Sequence, residues 1–339
     1  MHFRIFAESI DRSSWLIDYA NVLVETGHEV SIHSGLFKKL PSGSLNKKRL
    51  LNNIIIHLKL ITYFVFDWLS GGLRPSYLIS STPVGLIAFA GLIAGAKIRL
   101  IAVMMDLYPH SLWVNLPALG RIKNLLKIFY FRALRRYETV LVIDDLMKHE
   151  LQKFLGKKTP AICICGLFID GVRAPLKLAQ RPQGRSLVKS DIIHMFYAGH
   201  MTRMHQRSDL AEKIRRIQNL NCSCHTVIHV VGNSVATRRY FEQVEKASTG
   251  LTCRFYDYMP DHELNSLAKS CHFGLVVLCD SYKGFCLPSK LFDNRLKGFP
   301  SLYIGPVSRV IRGLSQGIWV FDDRMKVIEP EGPTSFSRF

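Results

Sequence analysis

Short apolar runs bounded by glycine, proline and charged residues alternate along this chain with longer stretches in which apolar residues return every three or four positions. The first pattern predicts buried strands and the second amphipathic helices. Reading in order, strands fall at His2–Ala7, Val30–His33, Tyr77–Ser81, Arg99–Met105, Thr139–Ile143 and Ala161–Cys165. Helices lie between them: one capped by Ser13 or Ser14 and reaching Glu25, one after the basic loop Lys38–Arg49, and others over Pro83–Ala94, Arg121–Arg136 and Asp144–Phe154. Residues 171–190 are rich in Pro, Gln, Arg and Lys and carry no period, as an interdomain linker does. A second alternating run follows, with strands at Ile192–Tyr197, Thr226–Val231, Cys253–Tyr256, Phe273–Leu278 and Ser301–Ile304 and a helix Asp261–Ala268 capped by Asp261. The pattern predicts an α/β chain: a first domain over 1–170, a linker 171–190, a second domain over 191–320 and an irregular tail 321–339.

Composition fits that layout. The 339 residues are 48% hydrophobic, enough for two cores and too many for a disordered chain. The formal charge of +19 is unevenly spread. Between Lys38 and Arg136 fifteen Lys and Arg face only Asp67 and Asp106, so +13 of it lies there and the first domain expects an anionic surface. In Arg121–Arg136 the residues Ile122, Leu125, Leu126, Phe129 and Ala133 fall at helical spacing, with Lys123, Lys127, Arg132 and Arg135 around them. Such a helix lies on lipid, or packs its apolar stripe into the core and leaves a solvated basic face.

Neither apolar stretch of the first half reads as a membrane span. Tyr77–Ala96 is broken at Ser80-Ser81-Thr82-Pro83, and Leu50–Leu69 contains Asn52, Asn53, His57, Lys59 and Asp67. Cysteines occur only after residue 160. Cys222, Cys224 and His225 have one geometry for a metal, but Cys-x-Cys is not the usual zinc spacing and buried or free thiols are favoured, so no metal is expected. Reduced thiols and the lack of a leader pattern predict a cytoplasmic protein.

The stretch richest in chemistry is Lys283-Gly-Phe-Cys-Leu-Pro-Ser-Lys-Leu-Phe-Asp293. It follows a strand and opens a helix, which puts it at the carboxyl edge of a parallel sheet, where ligands bind. Amides from Ser289 onward and the Lys290 charge suit an anion, and Asp293 suits vicinal hydroxyls. Pro-Ser is equally an ordinary helix start. Gly199, after the first strand of the second domain, permits close ligand approach, with Arg203 and His205 just beyond. Asp106 and His110 end a strand of the first domain, where they are either a proton-transfer pair or turn formers.

Together these segments resemble the GT-B glycosyltransferases of the large retaining "group one" class, in the branch that builds bacterial surface polysaccharides. The similarity runs through Gly27-His-Glu-Val30, Ser80-Ser-Thr-Pro83, Asp106-Leu-Tyr-Pro109, Gly166-Leu-Phe-Ile-Asp170 and Tyr197-Ala-Gly-His-Met-Thr-Arg-Met-His205, and is most specific at Pro288–Asp293 with Gly298-Phe-Pro300. It implies two Rossmann-like domains facing across a cleft, with a nucleotide-diphosphate sugar as donor substrate, no obligatory cofactor or metal, and a lipid-linked or saccharide acceptor. Arg203 and Lys290 would neutralise the diphosphate, Asp293 would hold the ribose, and the amides of Gly284–Leu287 would contact the sugar. Asp106 and His110 would face the acceptor and the reacting centre. The expectation is a transferase peripheral on the inner face of the cell membrane. Where the family carries a glutamate this chain has Lys283, and its C-terminus is expected to be shortened, without the family's long closing helices, which keeps a second expectation open: a non-catalytic, GT-B-like binding protein.

Overall fold

The strands of the first half all run parallel, as their crossover connections require. The computed structural model describes residues 1–7, 14–35, 47–70, 75–80, 85–95, 98–107, 122–156, 159–165, 192–220, 225–232, 234–313, 318–321 and 327–328. It divides into one unit of Met1–Val172 with Gly284–Leu287, and another of Arg173–Lys283 with Pro288–Phe339.

In the first unit the elements are β1 (His2–Phe6), α1 (Ser14–Glu25), β2 (Glu29–His33), α2 (Lys47–Ser70), β3 (Ser76–Ser80), α3 (Leu86–Ile93), β4 (Arg99–Met104), α4 (Ile122–Leu134), β5 (Thr139–Val142), α5 (Asp145–Leu155) and β6 (Ala161–Ile164). The sheet order is β2-β1-β3-β4-β5-β6. Alternation along β3 sorts the two faces: Leu78 joins Ile5, Ala20 and Val103 on the side of α1, while Tyr77 stacks edge-on against Phe64 of α2 at 4.6 Å. Helix α2 begins at Lys47, inside the stretch expected to be a loop, because the apolar period extends back to Leu50 and Leu51. Its inner face, Ile56, Leu60 and Phe64, is buried at i, i+4 and i+8, and Asp67 pairs with buried Arg4 at 2.7 Å and accepts from Tyr77. Helices α3 and α4 approach so closely that a Cβ on Gly91 would lie 2.5 Å from the Ala133 carbonyl oxygen. Asp144 caps α5, accepting from the Met147 amide at 2.7 Å.

The second unit holds β7 (Ile192–Ala198), α6 (Leu210–Leu220), β8 (His225–Val231), α7 (Val235–Lys246), β9 (Leu251–Tyr256), α8 (Asp261–Ser270), β10 (Phe273–Val277), α9 (Ser289–Leu296), β11 (Ser301–Ile304), α10 (Arg309–Gly313), β12 (Ile318–Phe321) and β13 (Val327–Ile328). The order β13-β12-β11-β10-β7-β8-β9 is parallel apart from the last pair, since β13, in the stretch read as an irregular tail, runs antiparallel to β12. Asp261 is not the cap of α8: Pro260 takes that position and Asp261 is the first helical residue, where its charge still complements the helix dipole. The chain builds β8 and β9 on one side of β7 and β10 on the other, so the β7/β10 boundary is the topological switch point. A parallel sheet opens a crevice at the carboxyl ends of two such strands.

Candidate functional site

Two loops leave the sheet at that switch point. After β7 the chain turns at Gly199, whose φ of +118° and amide bond to the Val231 carbonyl at 3.0 Å fix a left-handed bend that suits glycine. It then forms a 3-10 turn over Arg203–His205. After β10 it makes a second 3-10 turn, Asp280–Tyr282. The loops are sewn together: the Cys279 amide donates to the Met204 carbonyl at 2.7 Å. Buried Arg207 donates to the Leu278 carbonyl at 3.1 Å, to both oxygens of Asp280 and to Asp209. Those two carboxylates hold its guanidinium charged although burial opposes it.

Lys290, in the first turn of α9, reaches back over this edge. Its ammonium lies 4.5 Å from the centroid of the Tyr197 ring and 3.4 Å from that hydroxyl. A Cβ on Gly199 would stand 2.7 Å from Nζ, so glycine is what leaves room for the amine. Burial pulls the Lys290 pKa down from 10.5 to about 8, against the opposing charge of Asp293. Burial, and then the Lys290 charge, press His205 down to about 4, so the imidazole beside the amine is neutral. Asp293 lies one turn further along α9; desolvation raises its pKa while Lys297 and Lys290 lower it. A cavity of about 180 Å³ continues from Lys290 and Asp293 between α8 and α9, lined also by Phe196, Phe299, Asn265 and Lys297. The Asn265 Oδ1 is buried without a hydrogen-bond partner among the described residues.

Of the residues singled out in the sequence, Gly199, His205, Lys290 and Asp293 therefore stand at one sheet edge, with Arg203 exposed on the 3-10 turn and Ser289 exposed as the first residue of α9. Gly284, at φ +74°, packs within the first unit against Leu146 and Glu150 of α5. Asp106 follows β4 and pairs with Cys286 in an isolated bridge, while the Leu107 amide donates to the Phe285 carbonyl at 2.7 Å. Burial raises the Asp106 carboxyl to about 6 and pushes the Cys286 thiol up. His110 lies outside the described residues, as do Cys222 and Cys224. Among the described residues no group of three or more His, Cys, Asp or Glu could hold a metal ion. Tyr197 and Asn265 were not singled out in the sequence. Tyr197 had a signal in its place at the end of β7 just before Gly199, but Asn265 on a polar helix had none.

No family model and no curated protein matches this sequence. Solved structures do. Sucrose-phosphate synthase from Thermosynechococcus elongatus superposes with a TM-score of 0.56 at 11% identity, covering 98% of this chain and 86% of that one. The catalytic domain of starch synthase IV from Arabidopsis thaliana, bound to ADP and acarbose, gives 0.51 at 12% identity, with 90% and 82% covered. The lipopolysaccharide outer core galactosyltransferase WaaB in its apo form gives 0.50 at 12% identity, with 90% and 80% covered. At such identities the likeness concerns the fold alone. That fold is the two-domain α/β arrangement of GT-B glycosyltransferases, each unit Rossmann-like with a parallel sheet.

Proposed function

We propose that this protein is a glycosyltransferase that moves a sugar from a nucleotide-diphosphate donor to a lipid-linked or saccharide acceptor in surface polysaccharide synthesis, with retention at the anomeric carbon. The observation that carries the reading is the half-buried Lys290 ammonium held at Gly199, on the switch-point edge, beside a cavity that runs past Asp293. A cation held at an energetic cost at a sheet edge that binds ligands is the natural seat of an anion. A diphosphate placed there meets Lys290, the exposed Arg203 and the first amides of α9, and these fixed charges stabilise the negative charge that grows on the leaving diphosphate. Asp293 then stands within a helical turn to take ribose hydroxyls. Asp106, with a carboxyl raised to about 6, is suited to proton exchange near neutrality, and we assign it to the reacting centre with His110.

The expected partners support the same reading. ADP with the saccharide acarbose occupies the starch synthase, and a galactosyltransferase of lipopolysaccharide shares the fold. A second reading, a non-catalytic binding protein, is favoured by Lys283, exposed where the resembled family carries a sugar-binding glutamate. Incubating the purified protein and bacterial membranes with radiolabelled nucleotide sugars separates the two. Label passing into the lipid or polysaccharide fraction, and lost in Lys290→Met, supports transfer. Nucleotide binding without transfer of any sugar supports the second reading.

A further inference from the structure

Helix α2 has two apolar faces and the sheet covers one of them. Opposite the buried Ile56, Leu60 and Phe64, the residues Leu51, Ile54, Leu58, Ile61, Val65 and Trp68 stand exposed, with Trp68 at 77%. Their spacing of three and four keeps them in one stripe along a 24-residue helix. Between Leu50 and Leu69 the charged residues are Lys59 and Asp67, and both are committed inward: Lys59 donates to the Ser34 carbonyl at 2.7 Å and Asp67 pairs with Arg4. The outward stripe is therefore without charge. It is also not narrow. Helix α3 packs against α2 and α4 packs against α3, and both carry further exposed apolar residues, Ile93 on α3 and Leu125, Ile128 and Phe129 on α4. The part of α4 that enters the core is Tyr130, Phe131, Ala133 and Leu134.

We infer that the outward face of α2, extended by α3 and α4, is the surface by which this protein sits on an anionic lipid bilayer, with α2 lying in the plane of the interface. Three observations choose lipid over a partner helix or a second copy. The apolar surface spans three helices, wider than the single seam that one docked helix covers. It is bordered by positive charge: Arg132 is exposed on α4 and Arg135 and Arg136 follow it, while Asp67, the acid on α2, is paired with Arg4. Trp68, near the carboxyl end of the helix, has the amphipathic ring that settles at a headgroup boundary. Leu50–Leu69 is long and apolar enough to cross a membrane, but its inner face is packed on the sheet and its charges bond to the same unit, so the helix lies on the bilayer instead of through it. The inference deepens the proposed function by giving a lipid-linked acceptor its plane of approach; the vesicle test below does not involve the nucleotide, so either can fail alone.

The test is flotation of the full chain with vesicles of phosphatidylcholine and phosphatidylglycerol in equal parts, against vesicles of phosphatidylcholine alone. Binding is expected to the mixed vesicles, to weaken with salt, and to fall at least tenfold in Leu58→Glu/Val65→Glu, whose thermal unfolding should match the parent because both positions are exposed. Tryptophan emission should shift to the blue on adding vesicles, and the shift should shrink in Trp68→Phe. Unchanged binding of the double variant, or an unchanged spectral shift without Trp68, would overturn the assignment. So would a parent that ignores vesicles and sediments as a dimer that the double variant dissolves, since the stripe would then be a contact between copies.

Discussion

Replacing Lys290 by Met should make the ligand-free protein more stable and less able to bind. The side chain stays unbranched, becomes one atom shorter and loses its charge. Lowering the amine from 10.5 to about 8 sets a ceiling of about 3 kcal/mol on the cost of holding it protonated at neutral pH. Solvent reaching the half-buried head group brings that nearer to about 2 kcal/mol. The lost contact with the Tyr197 ring at 4.5 Å returns about 1 kcal/mol. The net gain is about 1 kcal/mol, a rise of about 2–4 °C in the melting temperature of a domain this size. The pH dependence has a definite sign. Because the folded pKa is depressed, the unfolded chain binds more protons between about 8 and 10.5, so parent stability climbs as pH rises through that window and the climb is absent in Lys290→Met. Binding moves the other way: losing a charge-assisted bond to phosphate weakens a nucleoside diphosphate about 10- to 100-fold. Calorimetric melting at several pH values and isothermal titration read the two effects separately. A variant that is less stable, or that keeps the parent's alkaline climb, would refute the view that Lys290 is a strained cation awaiting an anion.

Gly199→Ala puts a Cβ 2.7 Å from Nζ at a φ of +118°, so it should cost about 1–2 kcal/mol of stability and displace the amine, weakening nucleotide at least tenfold by titration. Arg207→Leu takes the guanidinium from Asp280, leaves Asp209 to Lys213 at 3.6 Å and unties the two loops; because both carboxylates reach solvent, a loss of about 2–4 kcal/mol in urea unfolding is expected. Transfer rates should fall as pH drops through about 6, when Asp106 takes up its proton, and Asp106→Asn should lose that limb along with about 100-fold in kcat. The same substitution should stabilise the fold above pH 6: a raised carboxyl binds more protons folded than unfolded, so its favourable contribution disappears as pH rises through its folded value.

Much of this arrangement was legible in the chain because buried parallel strands announce themselves. Phe273–Val277 and Ser301–Ile304 are unbroken apolar runs, and the Pro288-Ser289-Lys290 start of α9 carries its own punctuation. Ends were less clear: β9 begins two residues before Cys253, because Leu251 packs into the core although Thr252 beside it is polar. What local pattern does not carry is which of two apolar stripes faces the protein. In α4 the stripe Leu125, Leu126 and Phe129 looks as suited to a core as Tyr130, Phe131 and Leu134, and the long-range contacts of the second set, with Ala133 against Gly91 and Phe131 on Phe154, leave the first set outward. Helix α2 was read as lying against the sheet, and it does, yet its second face shows only once Ile56, Leu60 and Phe64 are seen to fill the first. Tyr197 was likewise hidden, since a tyrosine at the end of a strand acquires meaning when an amine from α9, far along the chain, comes to rest on its ring.

The central claim is that a nucleoside diphosphate completes the β7/β10 edge of the second unit. Isothermal titration of UDP, GDP and ADP into the parent and into Lys290→Met tests it most directly. Saturable one-to-one binding of at least one nucleotide by the parent is expected, tightest below the pH at which Lys290 loses its proton, with a loss of 10-fold or more in the variant. A folded parent that binds none of them, or a variant that binds as tightly as the parent, would contradict it.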